Sequence, residues 1–399
     1  MNEQPAIMGA ELAGKPRTYG AIVWGQLRKR PSAMISLAII LMMALAATLA
    51  PFIAGEVPIR WVERGETTWP IFRYLTNMEY GSLLVFVLVL ALPLTVREVR
   101  PRAEAAGASP LVRACLIHAG LWLVVVAAMY VWREPEQRYG FYLERAGEAD
   151  AATFPLIPTP RVPGYDALEY RDEPPSWQHL LGTDRMGADI VMRLLYGART
   201  AMAIGFVAVG IGSGIGVALG SISGYFGKWV DLLLMRVAEI FMFIPRIVLI
   251  IIILAVKPPG WDALWAVIIV LGVTGWTESY RLMRAELLRI RGEDYMTAAR
   301  ALGIPTWRML LRHAIPNGMA PILVGATFGI AGAVFLESTL AFLGLIQTPS
   351  WGELLNDGRQ HLEYWWAWGS AGAAIFITVL VYNLLGEAVR DAIDPKLKL

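Results

Sequence analysis

Charge is scarce in this chain of 399 residues: Asp, Glu, Lys and Arg make up 17%, where a soluble globular domain carries about 25%. The shortfall, set beside 56% hydrophobic residues, excludes a disordered chain and argues against an ordinary soluble enzyme. A single cysteine, Cys115, excludes an internal disulfide framework and a cysteine-ligated zinc site. The four histidines, His118, His179, His313 and His361, are scattered without ligand spacing, so no metal centre is expected. Basic and acidic residues nearly cancel, 35 against 33, which leaves no positive surplus for nucleic acid. A phosphate loop is missing as well. Around Gly227-Lys228, Ile222 stands where the first glycine belongs and Trp229 where Ser or Thr belongs. No Ser/His/Asp arrangement or carboxylate pair stands out.

What the chain does hold is apolar runs. A bilayer core of about 30 Å takes roughly 20 apolar residues in a helix. Candidate runs lie at 33–53, 82–96, 114–132, 201–224, 237–256, 263–280, 320–345 and 368–388. The run 82–96 is short and contains Pro93, so a full span and a re-entrant segment both stay open there. The reading is an all-α, polytopic transmembrane bundle of about eight spans. With the N-terminus inside, the inner segments hold 21 Lys and Arg in 110 residues, the outer ones 13 in 124. That bias places both termini in the cytoplasm. The organisation expected is a cytoplasmic segment 1–32, a first span 33–53, an external insertion 54–178 with two extra runs, and a core domain 179–399 with a cytoplasmic loop 284–317.

Within the core, Gly212, Gly216, Gly220 and Gly224 recur every fourth residue and form one small-residue ridge on a helix. Tight packing inside the bundle and a subunit or sliding surface both remain open for it. Glu239, Arg246, Glu278 and Glu337 are ionisable groups inside apolar runs, where charge is costly and faces a partner or a wet cavity. The three glutamates are candidates for a path or gate, and a structural role remains open for them. The loop RAELLRIRGEDYMTAARALGIPTWRMLLRHAIPN, 284–317, is the most informative segment. Glu293 and Asp294 favour the positive end of a short helix over 295–302, with Ala298 and Ala299 as a flat small face. Gly303 can end that helix and Pro305 blocks its continuation. A second short helix over 306–314 leads to Pro316. The 295–302 helix has the form of a docking knob, although an amphipathic surface helix would look alike.

At this loop the sequence resembles the permease subunits of ABC importers, specifically the C-type permease of the dipeptide, oligopeptide and nickel group. Thr297-Ala298-Ala299 matches the Glu-Ala-Ala of their cytoplasmic signature except at Thr297, followed by Gly303 and Pro316. Arg312-His313-Ala314-Ile315-Pro316-Asn317 matches the peptide-type version with Ile315 for Leu. HLLGTDRMGADIVMRLLYGART at 179–200, with Ala188 for an Arg, resembles the group's motif before its second span. ESTLAFLGL at 337–345 and NLLGEAVRDAIDP at 383–395 resemble its later motifs. The match covers roughly 179–399 and the first span; the stretch 54–178 is not part of the usual pattern.

The resemblance implies the fold of a type I ABC importer permease, six core spans plus two extra. It implies a subunit that performs no bond chemistry, binds no cofactor, and works with a second permease chain, two ATPases that hold ATP and Mg, and an external solute-binding protein. It implies a bacterial inner membrane and contact with lipid. Its docking loop corresponds to Asp294, Tyr295, Thr297, Ala298, Ala299, Arg300, Gly303, Arg308, Arg312, His313 and Pro316. The external loop with Gly182, Thr183, Asp184, Gly187 and Asp189 either meets the binding protein or simply positions the following span. Peptides are the group default as cargo. The rival reading is an ion-coupled secondary transporter or channel using the intramembrane glutamates.

Overall fold

The computed structural model describes residues 19–105, 113–115, 117–121, 124–125, 128, 141–158, 170–259, 261, 263–346, 348–359 and 361–393. The segment 1–18, most of 129–169 and the end of the C-terminal motif at Pro395 lie outside the described residues.

Six described helices are long and apolar enough to cross a membrane, or seven if one bent pair counts as a single span. After a short helix α1 (Tyr19–Leu27), α2 (Pro31–Ile53) starts with Pro at its first position, where the missing N–H costs nothing. Helix α3 (Asn77–Ala105) carries an apolar stretch Glu79–Val99 despite Pro93, so the short run 82–96 lies in a helix of spanning length. Its Val87, Val89, Leu90 and Leu94 are exposed, the expected face for lipid. Of the run 114–132 only 114–115, 117–121, 124–125 and 128 are described, all helical. The rest of that span lies outside the described residues.

The core continues through α4 (Ile190–Ala203) and α5 (Val209–Phe226), joined by a π-helical turn over Ile204–Ala208. Then come α6 (Lys228–Phe243) and α7 (Arg246–Val256), which meet at 75°. The candidate run 237–256 is thus divided between two helices. Pro245 has no N–H to give and holds Ile244 in an extended conformation, φ −80° and ψ 118°. Helices α8 (Ala263–Thr274) and α9 (Trp276–Ile290) follow, then α10 (Asp294–Ala301), α11 (Thr306–Met309), α12 (Ile315–Phe342), α13 (Trp351–Gly358) and α14 (Trp365–Ile393). The separate short helix expected over 306–314 is corrected. A π turn over Leu310–Ala314 joins α11 to α12 without a break. Widening the helix just before Pro316 avoids the clash its ring would otherwise make one turn back.

The all-α expectation needs one amendment. Within 54–178, β1 (Arg60–Glu63), β2 (Glu66–Thr68) and β3 (Ala151–Thr153) form a small antiparallel sheet in the order β2-β1-β3. The β1–β2 hairpin turns through Arg64 and Gly65, both at positive φ (52° and 78°), the geometry that matches strand twist.

The glycine ridge explains the tightest packing. Carbon atoms added as Cβ at Gly216, Gly220 and Gly224 would lie 2.5 Å from the Trp276 carbonyl oxygen, 2.6 Å from that of Tyr280 and 2.7 Å from that of Arg284. Helix α5 thus lies directly on the backbone of α9, and any side chain would force them apart. Elsewhere Ile40 and Ala47 of α2, Ala198 and Ala201 of α4, Val334 of α12 and Tyr382 of α14 share one core.

Candidate functional site

Three places bring polar or chemically distinctive residues together: the loop around α10, a cavity in the helix bundle, and the turn before α4. At the first, Met296 and Ala299 of α10 are buried against Met283, Leu287 and Ile290 of α9 and against Met309, Leu310 and Ala314. Arg300 Nη2 donates to the Arg291 carbonyl at 2.8 Å, and Asn317 Nδ2 to the Tyr295 hydroxyl at 3.3 Å. The Gly303 N–H bonds to the Arg300 carbonyl and the Ile304 N–H to the Ala299 carbonyl. These two bonds form a Schellman cap, with Gly303 at φ +70°. The helix is thereby fixed on one side and free on the other.

The free side is apolar as well as polar. Tyr295, Thr297, Ala298 and Ala301 are exposed, Leu302 is 80% and Trp307 60% exposed. Arg308 lies over the Trp307 ring at 5.3 Å, Arg312 and Pro316 are exposed, and His313 is half-buried. Ala298 and Ala299 do not share a flat face: Ala299 points inward and Ala298 outward, because adjacent helical residues lie about 100° apart.

The loop lies at the same end of the bundle as both described chain ends. Arg30, before α2, pairs with Asp391 near the end of α14 at 2.5 Å. At the opposite end, Arg193 of α4 meets Asp357 of α13, and Gly352 of α13 sits against the Ser338 carbonyl near the end of α12. The start of α12, and α10 with it, therefore belongs to the Arg30–Asp391 end.

The cavity, of about 300 Å³, lies among α5, α9, α12 and the start of α7. Arg246, Glu278, Ser213 and Ser279 line it, against a wall of small residues that includes Gly329 and Gly332. The three candidate glutamates part company here. Glu278 lines the cavity. Glu239 is on the exposed side of α6, paired with Arg236 at 2.6 Å. Glu337 is buried near the far end of α12, where the Ser338 hydroxyl donates to it at 3.3 Å. Its position within the apolar run suggests a deep site, yet it lies close to the helix terminus. Arg281 is exposed, and Arg289 pairs with Glu286 and Glu293. Arg284 clamps Asp231 of α6 with two bonds of 2.5 and 2.6 Å. Asp231 also accepts from the Ser223 hydroxyl at 2.5 Å. The sequence places Asp231 in the first turn of α6 but does not identify its partner.

Before α4, the motif residues turn inward. Asp189 caps α4, accepting from the Val191 and Met192 N–H groups at 2.8 and 3.3 Å, and meets His179 Nδ1 at 2.9 Å. Asp184 accepts from the N–H groups of Met186 and Ala188 and pairs with Arg193 at 2.5 Å. Arg193 also reaches Glu353 at 3.3 Å and Asp357 at 2.7 Å. Burial lifts the Glu353 carboxyl above its ordinary value, against the pull of Arg193. Thr183 bonds the Tyr170 carbonyl through its hydroxyl and accepts from the Glu173 N–H at 2.9 Å. Gly182, at φ +77°, is so close to the Glu173 carbonyl that a Cβ would lie 2.4 Å away. Gly187 also sits at positive φ. The turn locks 170–189 to α4 and α13.

Comparison with known proteins places this architecture. Residues 216–399 match the model of the binding-protein-dependent transport system inner membrane component, and 18–61 that of the N-terminal TM domain of oligopeptide transport permease C. The oligopeptide transport system permease protein OppC of Bacillus subtilis is 38% identical over 231 residues, 57% of this chain and 75% of that one. The dipeptide transport system permease protein DppC of Alkalihalophilus pseudofirmus is 39% identical over 230 residues, 56% of this chain and 74% of that one. The chain belongs to the C-type permeases of ABC importers. It is a membrane-spanning permease subunit of an ATP-driven importer. The permease also carries a stretch, 62–215, that lies between the two matched models. Within it, α3 is joined to α4 by an ion pair, Arg199 Nη1 to Glu79 Oε1 at 2.7 Å.

Proposed function

We propose that this permease imports peptides and is driven through α10, which docks in a cleft of a cytoplasmic ATPase. The observation that carries the reading is the division of α10 into a side anchored on α9 and α12 by Met296 and Ala299 and a side exposing Ala298, Leu302 and Trp307. A helix fixed to two spans transmits a push to both; a free apolar side suits a protein partner. The peptide cargo follows from the oligopeptide and dipeptide permeases it resembles.

In this reading the chain performs no bond chemistry. ATP and Mg belong to two partner ATPases, a second permease chain supplies the other half of the path, and an external binding protein delivers the cargo. Both termini and α10 face the cytoplasm of a bacterial cell. Closure of the ATPase pair moves α10, and the bundle passes between two packings that open the path to opposite sides in turn. The Gly182–Asp189 turn lies on the outer side, where it positions α4 within reach of the binding protein.

The test is uptake by the complete importer in proteoliposomes. Peptide uptake that requires ATP on the α10 side and survives collapse of ion gradients is expected. Uptake that persists without ATP and stops when a proton gradient is removed would point to ion-coupled transport and overturn the reading.

A further inference from the structure

Arg246 and Glu278 pose a physical problem that the docking loop does not touch. Arg246 starts the apolar helix α7 and Glu278 lies in the candidate membrane span Ala263–Ile290; both are exposed, and both line the same cavity. Among the described residues neither has an ion pair or a hydrogen bond, and no contact within 4.0 Å joins them. Other charges near the bundle's interior are matched, Asp231 by Arg284, Glu79 by Arg199 and Arg193 by three acids, while Glu337, buried at the far end of α12, has no ion pair among the described residues and accepts from the Ser338 hydroxyl. An ionisable side chain left unmatched at membrane depth is expensive unless it faces water or a ligand. Two of opposite sign lining one cavity form a fixed dipole.

The neighbours are suited to a backbone passing close by. Gly212, Gly325, Gly329 and Gly332 keep the wall low, and Ser213 and Ser279 supply hydroxyls, bonded to each other at 3.3 Å. Arg246 is held at the cavity by the break at Pro245, from which α7 starts. A ligand carrying one negative and one positive group, joined by a polar backbone, complements this lining.

We propose that Arg246 and Glu278 are the two poles of a substrate subsite in the translocation path, Arg246 receiving the C-terminal carboxylate of a peptide and Glu278 its N-terminal ammonium. The guanidinium offers two parallel donors to a carboxylate, and the carboxylate accepts from an ammonium. This rests on the peptide reading and adds that the permease itself selects for free termini.

The test uses the complete importer in proteoliposomes and a tripeptide library, read by mass spectrometry, in free, N-acetylated and C-amidated forms. In Arg246→Gln the preference for free over amidated peptides falls by about tenfold or more, the loss expected for a hydrogen bond to a charged group, while the preference for free over acetylated peptides stays. Glu278→Gln shows the reverse. Arg246→Lys and Glu278→Asp, which keep the charge, recover most of the preference and cover the case in which a glutamine variant fails to assemble. Equal loss for all three forms, or unchanged preferences, overturns the proposal and leaves peptide import standing. No uptake of any form by the unaltered importer overturns the peptide reading and the proposal with it.

Discussion

At Gly303 the chain adopts φ +70°, and a Cβ placed there would touch nothing within 4 Å. The position is therefore constrained by backbone conformation and not by space. A β-branched side chain there costs about 1–2 kcal/mol in the left-handed region, enough to loosen the cap on α10. Gly303→Val is expected to assemble in the membrane and keep ATP hydrolysis while losing most uptake; Gly303→Asn, which tolerates this conformation, is expected to retain more. Parallel assays of hydrolysis and uptake decide it. Gly220 is the opposite case, with the Tyr280 carbonyl 2.6 Å from any added Cβ. Gly220→Leu is expected to destabilise the α5–α9 contact by about 1–3 kcal/mol, read as a lower unfolding temperature in detergent. Both glycines are legible in the sequence, one two residues ahead of Pro305 and one in a four-residue repeat. The pairing of Arg284 with Asp231 is not legible, because 53 residues separate them and no local pattern links them.

Helix α3 shows what the additional segment contributes. Glu79 is buried, its Oε2 accepts from the Thr76 N–H at 2.5 Å, and its Oε1 faces Arg199. Removing one partner of a buried pair strands the other, at a cost of about 3–5 kcal/mol. Glu79→Gln is therefore expected to lower thermal stability sharply, and Glu79→Gln with Arg199→Met to recover part of it. Additive losses in that double-mutant cycle would show that the pair does not couple α3 to α4. At this scale the apolar runs disclosed the spans but not their interruptions. The bend between α6 and α7 has a sequence cue in Pro245, overlooked because the apolar run continues across it. The π turn at Leu310–Ala314 has its cue only downstream, in Pro316, and the turn at Ile204–Ala208 has none among its own residues, Ile-Gly-Phe-Val-Ala. The small sheet was hidden because its strands are three or four residues long.

Across the whole molecule, α10 sits at one end and the Gly182–Asp189 turn at the other, joined by α9, α12 and α4. The cavity among α5, α9 and α12 is lined by both Arg246 and Glu278. In the proposed mechanism a movement imposed on α10 reaches the cavity through α9, which holds Met283 and Leu287 under α10 and Glu278 earlier in the same helix. The most direct test is thiol crosslinking of Leu302→Cys in a Cys115→Ser background, with the importer assembled in native membranes. A crosslink to the ATPase subunit from the cytoplasmic side, whose yield changes when ATP is added, is the result expected. Reaction of that cysteine with a membrane-impermeant reagent in intact cells, with no ATPase adduct, would contradict it.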